Sequence, residues 1–405
     1  MTIRPGDVGQ LVTPSVDSIV SLTRELVAIP SRGGEDSCEP MIQHVATWLK
    51  DHDVAVSVLT ADAERPVAVV GEVTGSAPGP TYCLDACLDT APFGDASAWH
   101  HPPTEPRIED GWLSGRGAAD CKVAVSIFSH LAADVQQLRD SLRGRLLVLF
   151  DADEHTGDFA GVKTFLHSYP KLDGVLIGYP GNYGVIVGAR GFYRATVTVH
   201  GIGGHSGGRQ SGSQNAIHKA AQLVQALDAA TLPSPTPEAF PLSPSLTVTG
   251  IAGGESFSTV PDRCDVKVDI RLTPDFGATA ARNLLRATIN DIDATHPATR
   301  PTALREAESW PPYHLPPRAP IVQAMLDAAR THHKPDIEPV VCGPSNVGNY
   351  FAAHGIDATC GFGVTYENLH APNERIKLDT IQMTSDVYST AVHSLLASGT
   401  IPPNA

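Results

Sequence analysis

The stretch Leu149-Phe150-Asp151-Ala152-Asp153-Glu154-His155-Thr156-Gly157 decides how the rest of the chain is read. An apolar run, Leu146 to Phe150, ends abruptly in acidic residues and a histidine. A buried parallel strand delivers ligands to a site at its carboxyl end in this way. Glu154 and His155 are adjacent, so a bend there sends one side chain to a metal and the other to a water beside it. A strand running into a polar, solvated turn accounts for the same residues, and only other stretches choose between the two.

Working outward, the residues on either side alternate in character. Ile19, Leu22, Leu26 and Ile29 recur at helical spacing and Pro30 stops that helix; Ile42, Val45 and Leu49 mark a second. Val54 to Leu59, Val67 to Val70 and Tyr82 to Leu88 read as strands, the last running into Cys87-Leu88-Asp89-Thr90-Ala91-Pro92. Val123 to Leu138 reads as a helix, Phe159 to Tyr169 as another, and Gly174 to Gly178 as a strand. Such alternation implies an α/β fold, a mostly parallel sheet with helices on both faces. From Arg190 the pattern changes. Tyr193, Ala195, Val197 and Val199 alternate strictly, as do Cys264, Val266, Val268, Ile270 and Leu272, with helices expected at Ala216 to Leu227 and Ala280 to Ile292. This is a two-layer α+β unit of ordinary domain size. The earlier style returns from Pro320. The expected architecture is therefore an α/β domain, residues 1–189 and 306–405, interrupted by an α+β domain, residues 190–305. Pro233 to Pro244 is rich in Pro and Ser and reads as a surface loop, and Gly201 to Gly212 as a glycine-rich turn.

Composition narrows the function. A chain of 405 residues supports two domains with cores of their own. Its formal net charge of −15 argues against nucleic acid or an anionic membrane surface as partner. No long uncharged apolar span is present, and Met1 to Pro14 lacks the apolar core of a signal peptide. The seven cysteines are odd in number and without zinc-ribbon spacing, which points to free thiols in a reducing cytoplasm.

Taken together, a series of motifs resembles the metallopeptidase family of acetylornithine deacetylase, succinyl-diaminopimelate desuccinylase, aminoacylase and carboxypeptidase G. Gly115-Arg116-Gly117-Ala118-Ala119-Asp120 is similar to the family's GRGxxD, and Asp153-Glu154 with Gly157 to its DEExG. Gly203-Gly204-His205-Ser206 with Asn215-Ala216-Ile217, then Val260-Pro261 and Asp269-Ile270-Arg271, resemble motifs of its inserted domain, and His370-Ala371-Pro372-Asn373-Glu374 its closing HxxNE. The resemblance implies a catalytic α/β domain carrying an inserted lid and dimerisation domain, a homodimer, and a two-zinc amidohydrolase. In that family a bridging Asp joins the two metals, the first Glu of DEE is the general base, and the metals clamp a water and polarise the scissile carbonyl.

This chain departs from the family at three ligand positions. Cys87-Leu88-Asp89 stands where the family has HxD, His155 replaces the second Glu of DEE, and Tyr179 replaces the acid before Pro180. The first metal site would be left with Cys87, Asp120 and Tyr179. A phenol has a pKa near ~10 and is a poor zinc ligand at neutral pH, so this site is expected to be empty or to hold a cation tolerant of thiolate and phenolate, such as ferric iron. The second would offer Asp120, His155 and His370, an ordinary catalytic set for one divalent metal: zinc first, with iron, cobalt or manganese as alternatives. The expectation is a mononuclear site with Glu154 as base and His205 as oxyanion donor, usually supplied in the family by the partner subunit. Asp89, which orients the ligand at position 87 in the family, is expected to have no imidazole to hold. Cys87 also reads as a buried small hydrophobe, Tyr179 as a hydrogen-bond donor into the site, and His155 as a solvated turn residue. Arg271 matches the arginine that binds a substrate carboxylate, a task suited to guanidinium, or is paired at an interface. Ser345 and Asn346, in Gly343-Pro344-Ser345-Asn346, are expected along the substrate backbone.

The function implied is a deacetylase-like metal-dependent amidohydrolase acting on an N-acyl amino acid or a small peptide-like amide. The alternatives are an acyl-transfer, amide-forming or lyase enzyme with a repurposed site, and a non-catalytic, metal-free relative.

Overall fold

The computed structural model describes residues 15–61, 64–181, 184–208, 212–234 and 240–397. Met1 to Pro14, and residues 209–211 and 235–239 of the expected glycine-rich turn and Pro/Ser-rich loop, lie outside the described residues. The chain divides into two compact units, Met1–Val187 with Leu315–Val340 and Gly355–Ala405, and Gly188–His314 with Val341–His354. The second crossing thus falls at 314/315, and a short segment near residue 350 joins the second unit, which periodicity alone does not announce.

The first unit is an α/β structure around a mixed sheet. Its strands lie in the order Ala55–Thr60, Pro66–Thr74, Arg143–Asp151, Ala77–Cys87, Gly174–Ile177, Ala358–Cys360 and Val185–Ala189. The four from Arg143–Asp151 to Ala358–Cys360 run parallel, and the outer ones antiparallel. Leu146 to Phe150 are each at most 1% exposed, so the strand is covered on both faces, which explains an apolar run without alternation. Helix Val16–Ala28 buries Ile19, Leu22 and Leu26 at 3.6-residue spacing. Its Thr23 hydroxyl donates to Ser126 of helix Val123–Gln137, a helix nearly all of which is buried.

A small second sheet of this unit matters more for the site. It orders Tyr366–Glu367, Arg375–Lys377, Trp112–Ser114 and Arg107–Glu109, all antiparallel. Arg375 pairs with Ser114. One ladder therefore fixes the segment leading into Asp120 beside the hairpin that carries His370.

The second unit has a four-stranded antiparallel sheet in the order Ser245–Gly253, Arg263–Leu272, Gly191–His200 and Ala303–Trp310. Helices Ala216–Asp228 and Ala278–Ala294 cover one face, where Val197, Val199, Val266, Val268 and Ile270 meet Ala220, Leu223, Leu285 and Ile289. The strict alternation in both inner strands is the sequence trace of this two-layer packing. Among the described residues no helix is long and apolar enough to cross a membrane. All seven cysteines are free thiols.

Candidate metal centre

The parallel strands end together, and the turns that follow bring the chemistry-bearing residues to one place. Strand Ala77–Cys87 stops at Cys87, and Asp89 lies two residues on, fully buried. Strand Arg143–Asp151 pairs beside it, and its following turn holds Glu154 and His155. Asp89 ties the two turns together. Its Oδ1 accepts the Glu154 backbone N–H at 2.9 Å and its Oδ2 that of His155 at 2.8 Å.

Asp120 arrives from the Gly-Arg-Gly segment. Gly117 has φ +80°, and a Cβ there would meet Thr90 Cγ2 at 2.5 Å, so both the backbone and the space require glycine. The segment is held by Glu374, whose Oε1 accepts the N–H groups of Ala119 at 2.9 Å and Asp120 at 3.2 Å. Arg116 Nη1 reaches Glu374 Oε2 at 2.6 Å, with side chains 2% and 1% exposed. His370 sits at the tip of the hairpin between Tyr366–Glu367 and Arg375–Lys377, with φ +59°, a region that histidine rarely occupies. Such a conformation persists only where its surroundings hold it, and sites of function are where it collects.

The result is a convergent set. Ligand atoms of Asp120, His155 and His370 all lie within 4.8 Å of one another. His370 Nε2 is 2.8 Å from Asp120 Oδ2, and His155 Nε2 is 3.5 Å from the same oxygen. The two rings stand 5.3 Å apart, centroid to centroid. His155 Nδ1 lies 3.6 Å from Asp89 Oδ2 and 3.4 Å from Glu154 Oε2. Both its ring nitrogens are buried without a hydrogen bond among the described residues. A buried imidazole with neither nitrogen satisfied is costly, and a metal ligated on one nitrogen with a carboxylate behind the other removes that cost. The expectation that Asp89 has no imidazole to hold is thereby corrected: the histidine it faces is His155, not a residue at position 87.

Electrostatics lead to the same fit. Burial opposes charge on Asp120, but His155 and His370 outweigh it and hold its carboxyl well below the usual carboxylate range. Burial likewise opposes charge on His155, and Asp120, Asp89 and Cys87 outweigh it, raising its pKa. Glu154 is pushed up to about 7, by burial first, with Asp120 and Asp89 repelling its charge and His155 and Tyr179 favouring it. Three carboxyl groups thus surround one buried imidazole, an acidic surplus that a divalent cation balances. Two imidazoles and one carboxylate are a donor set that catalytic metal sites use.

Asp89→Asn preserves the side chain's volume and removes its charge. It is expected to weaken metal binding by roughly 10- to 100-fold, read by competition with a chelator. An unchanged affinity would show that Asp89 only ties the turns together.

The other expected site residues are placed as follows. Tyr179 O–H donates to Glu154 Oε1, so its phenol is engaged with the base. Cys87 lies with Asp120, and the third donor beside them is Cys121, which sequence reasoning passed over. Its position directly after Asp120 was the available signal, but neighbours on an ordinary extended chain point to opposite sides. Within the second unit, His205 is exposed and its Nδ1 accepts the Gly207 N–H at 3.1 Å, which leaves Nε2 protonated as a donor. Arg271 pairs with Asp269 at 2.8 Å and lies 3.4 Å from Ser345 Oγ, which itself donates to the Arg190 carbonyl at 2.7 Å. Asn346 caps helix Val347–Ala353, its Oδ1 accepting the Gly348 N–H at 2.8 Å. That is a structural task not evident from the motif.

Residues 83–394 match peptidase family M20/M25/M40, and the chain belongs to that family. Solved structures share its fold at low identity. A tripeptidase from Staphylococcus aureus subsp. aureus Mu50 is 15% identical with a TM-score of 0.75, over 94% of this chain and 98% of that one. An M20 family metallo-carboxypeptidase from Sulfolobus solfataricus is 18% identical with a TM-score of 0.75, over 93% and 99%. Human carnosine dipeptidase 1 is 16% identical with a TM-score of 0.73, over 94% and 96%.

Proposed function

We propose that this protein is a metal-dependent amidohydrolase that cleaves the amide bond of an N-acyl amino acid or a small peptide-like substrate. The observation that carries the reading is the convergence of Asp120, His155 and His370 within 4.8 Å, with the Glu154 carboxyl 3.4 Å from His155. Those three side chains would hold one divalent cation, zinc first among the candidates, while Asp89 orients His155 from behind. A cation bound there supplies Lewis-acid polarisation of the scissile carbonyl and acidifies water at neutral pH.

The chain's own residues do the rest. Glu154 takes the proton from the attacking water and returns it to the departing amine nitrogen. Tyr179 donates to one oxygen of Glu154 and so leaves the other for that transfer. Tyr179 is in this reading a positioning residue. His205 is assigned the oxyanion-donor role, Arg271 recognition of the substrate's carboxylate, and Ser345 and Asn346 a place along the substrate backbone. These assignments are supported by their sequence motifs and, for His205, by a ring whose Nε2 is left to donate. A homodimer formed through the second unit and a cytoplasmic location belong to the same reading, on sequence grounds.

The test is a product assay on zinc-loaded protein with a panel of N-acyl amino acids and dipeptides, with and without an added amine acceptor. Release of free acid and amine, abolished by a chelator and restored by zinc, is expected. Acylated acceptor in place of free acid would overturn hydrolysis in favour of transfer, and turnover that is indifferent to the chelator would overturn the metal's role.

A further inference from the structure

The carboxylate of Asp120 separates its neighbours by element. Its Oδ2 faces nitrogen, with His370 Nε2 at 2.8 Å and His155 Nε2 at 3.5 Å. Its Oδ1 faces sulfur, with Cys121 Sγ at 2.7 Å and Cys87 Sγ at 3.9 Å. Ligand atoms of Cys87, Asp120 and Cys121 lie within 4.8 Å of one another, and all three residues are buried. Cys87 also falls within the same distance of donors on Asp89 and His155. A buried cysteine is ordinarily a small hydrophobe among apolar neighbours. These two residues, 3% and 1% exposed, instead place their sulfurs beside carboxylate oxygen and, for Cys87, imidazole. That is the surrounding of a ligand rather than of a packing group.

We propose that Cys87, Cys121 and Oδ1 of Asp120 form a second cation pocket, selective for a thiophilic divalent ion such as zinc or cadmium. The pocket adjoins the imidazole pocket through the shared carboxylate. Thiolate donors favour soft and borderline ions and disfavour magnesium, calcium and manganese, whereas the imidazole and carboxylate set accepts a broader range. The two pockets therefore select differently, and a mixed pair of ions is their natural occupancy. Binding is an exchange of protons for metal: each of the two S–H bonds breaks, each sulfur keeps its electron pair and forms a bond to the ion, and two protons leave. Sulfur is neither oxidised nor reduced. Two thiolates carry as much negative charge as the ion carries positive. The second pocket thus fills without adding net charge beside the first cation, and the electrostatic objection to two dications in a buried site is removed. Tyr179 does not compete for this ion, because its hydroxyl is given to Glu154. The inference rests on Asp120 being a ligand but not on hydrolysis, which stays with the imidazole pocket.

The test is a cadmium titration of the intact, reduced, metal-stripped chain. It follows bound metal by mass spectrometry and thiolate-to-metal charge transfer by ultraviolet absorption. About two ions per chain are expected, only one of them bringing the charge-transfer band. Cys121→Ser, and independently Cys87→Ser, should remove the band and about one ion while the other ion stays bound, which also shows that the variants fold. His370→Ala should do the reverse, keeping the band and losing the silent ion. Uptake of about one ion in all, or a band that survives both serine variants, overturns the proposal. Since the count is made without substrate, it is independent of whether the protein hydrolyses amides.

Discussion

Glu154→Gln is expected to lower kcat by roughly 10²- to 10⁴-fold while the protein keeps its metal. The glutamine amide fills the same volume and accepts the Tyr179 hydroxyl in the same place, but it cannot take a proton from water. Glu154 is not among the three side chains whose ligand atoms converge, so metal binding should persist. The loss corresponds to about 3 to 5 kcal/mol of transition-state stabilisation, the ordinary worth of a well-placed general base. Steady-state kinetics together with metal analysis of the same sample check the result. Activity within about tenfold of the parent would remove Glu154 from the proton transfer. Loss of metal together with activity would make it a ligand instead.

The second large effect is on stability. Glu374→Ala is expected to destabilise the fold by about 3 to 5 kcal/mol, measured by denaturant unfolding. Glu374 is fully buried, and its partner Arg116 is 2% exposed. Removing the carboxylate strands the guanidinium in a dry interior. Among the described residues its remaining support is the Pro92 carbonyl at 2.9 Å and the Trp99 ring at 5.2 Å. The same change orphans the Ala119 and Asp120 N–H groups, each of which costs free energy when buried without an acceptor. The double variant Arg116→Met with Glu374→Leu should recover part of the loss, since the stranded charge is gone, but not the part due to the two N–H groups. A single variant within about 1 kcal/mol of the parent would show that water reaches the site and takes the place of the carboxylate.

Much of this was legible in the residues themselves. The unbroken apolar run at Leu146 to Phe150 announces a strand covered on both faces, and the alternation at Tyr193 to Val199 announces one covered on a single face. The motifs single out Asp120 and His370, and the structure places them 2.8 Å apart although they are distant in the chain. Less legible was anything that depends on where a turn aims its side chains. That Asp89 backs His155 follows from two hydrogen bonds between turns after neighbouring strands, and no spacing encodes them. The grouping of Cys121 with Asp120 and Cys87 is hidden for the same reason, since it depends on which way adjacent side chains face. The membership of residues 341–354 in the second unit is likewise a matter of tertiary contact rather than local pattern.

The ladder that pairs Ser114 with Arg375 has a consequence for how the protein is made. It joins Asp120 to a histidine 250 positions later in the chain. During synthesis Asp120 and His155 leave the ribosome long before that histidine exists, and closing so wide a loop is slow even afterwards. The nascent chain therefore carries an incomplete claw for most of its time on the ribosome. A stalled or truncated product lacks the third side chain of the proposed imidazole pocket, which is complete only once the hairpin carrying His370 has docked.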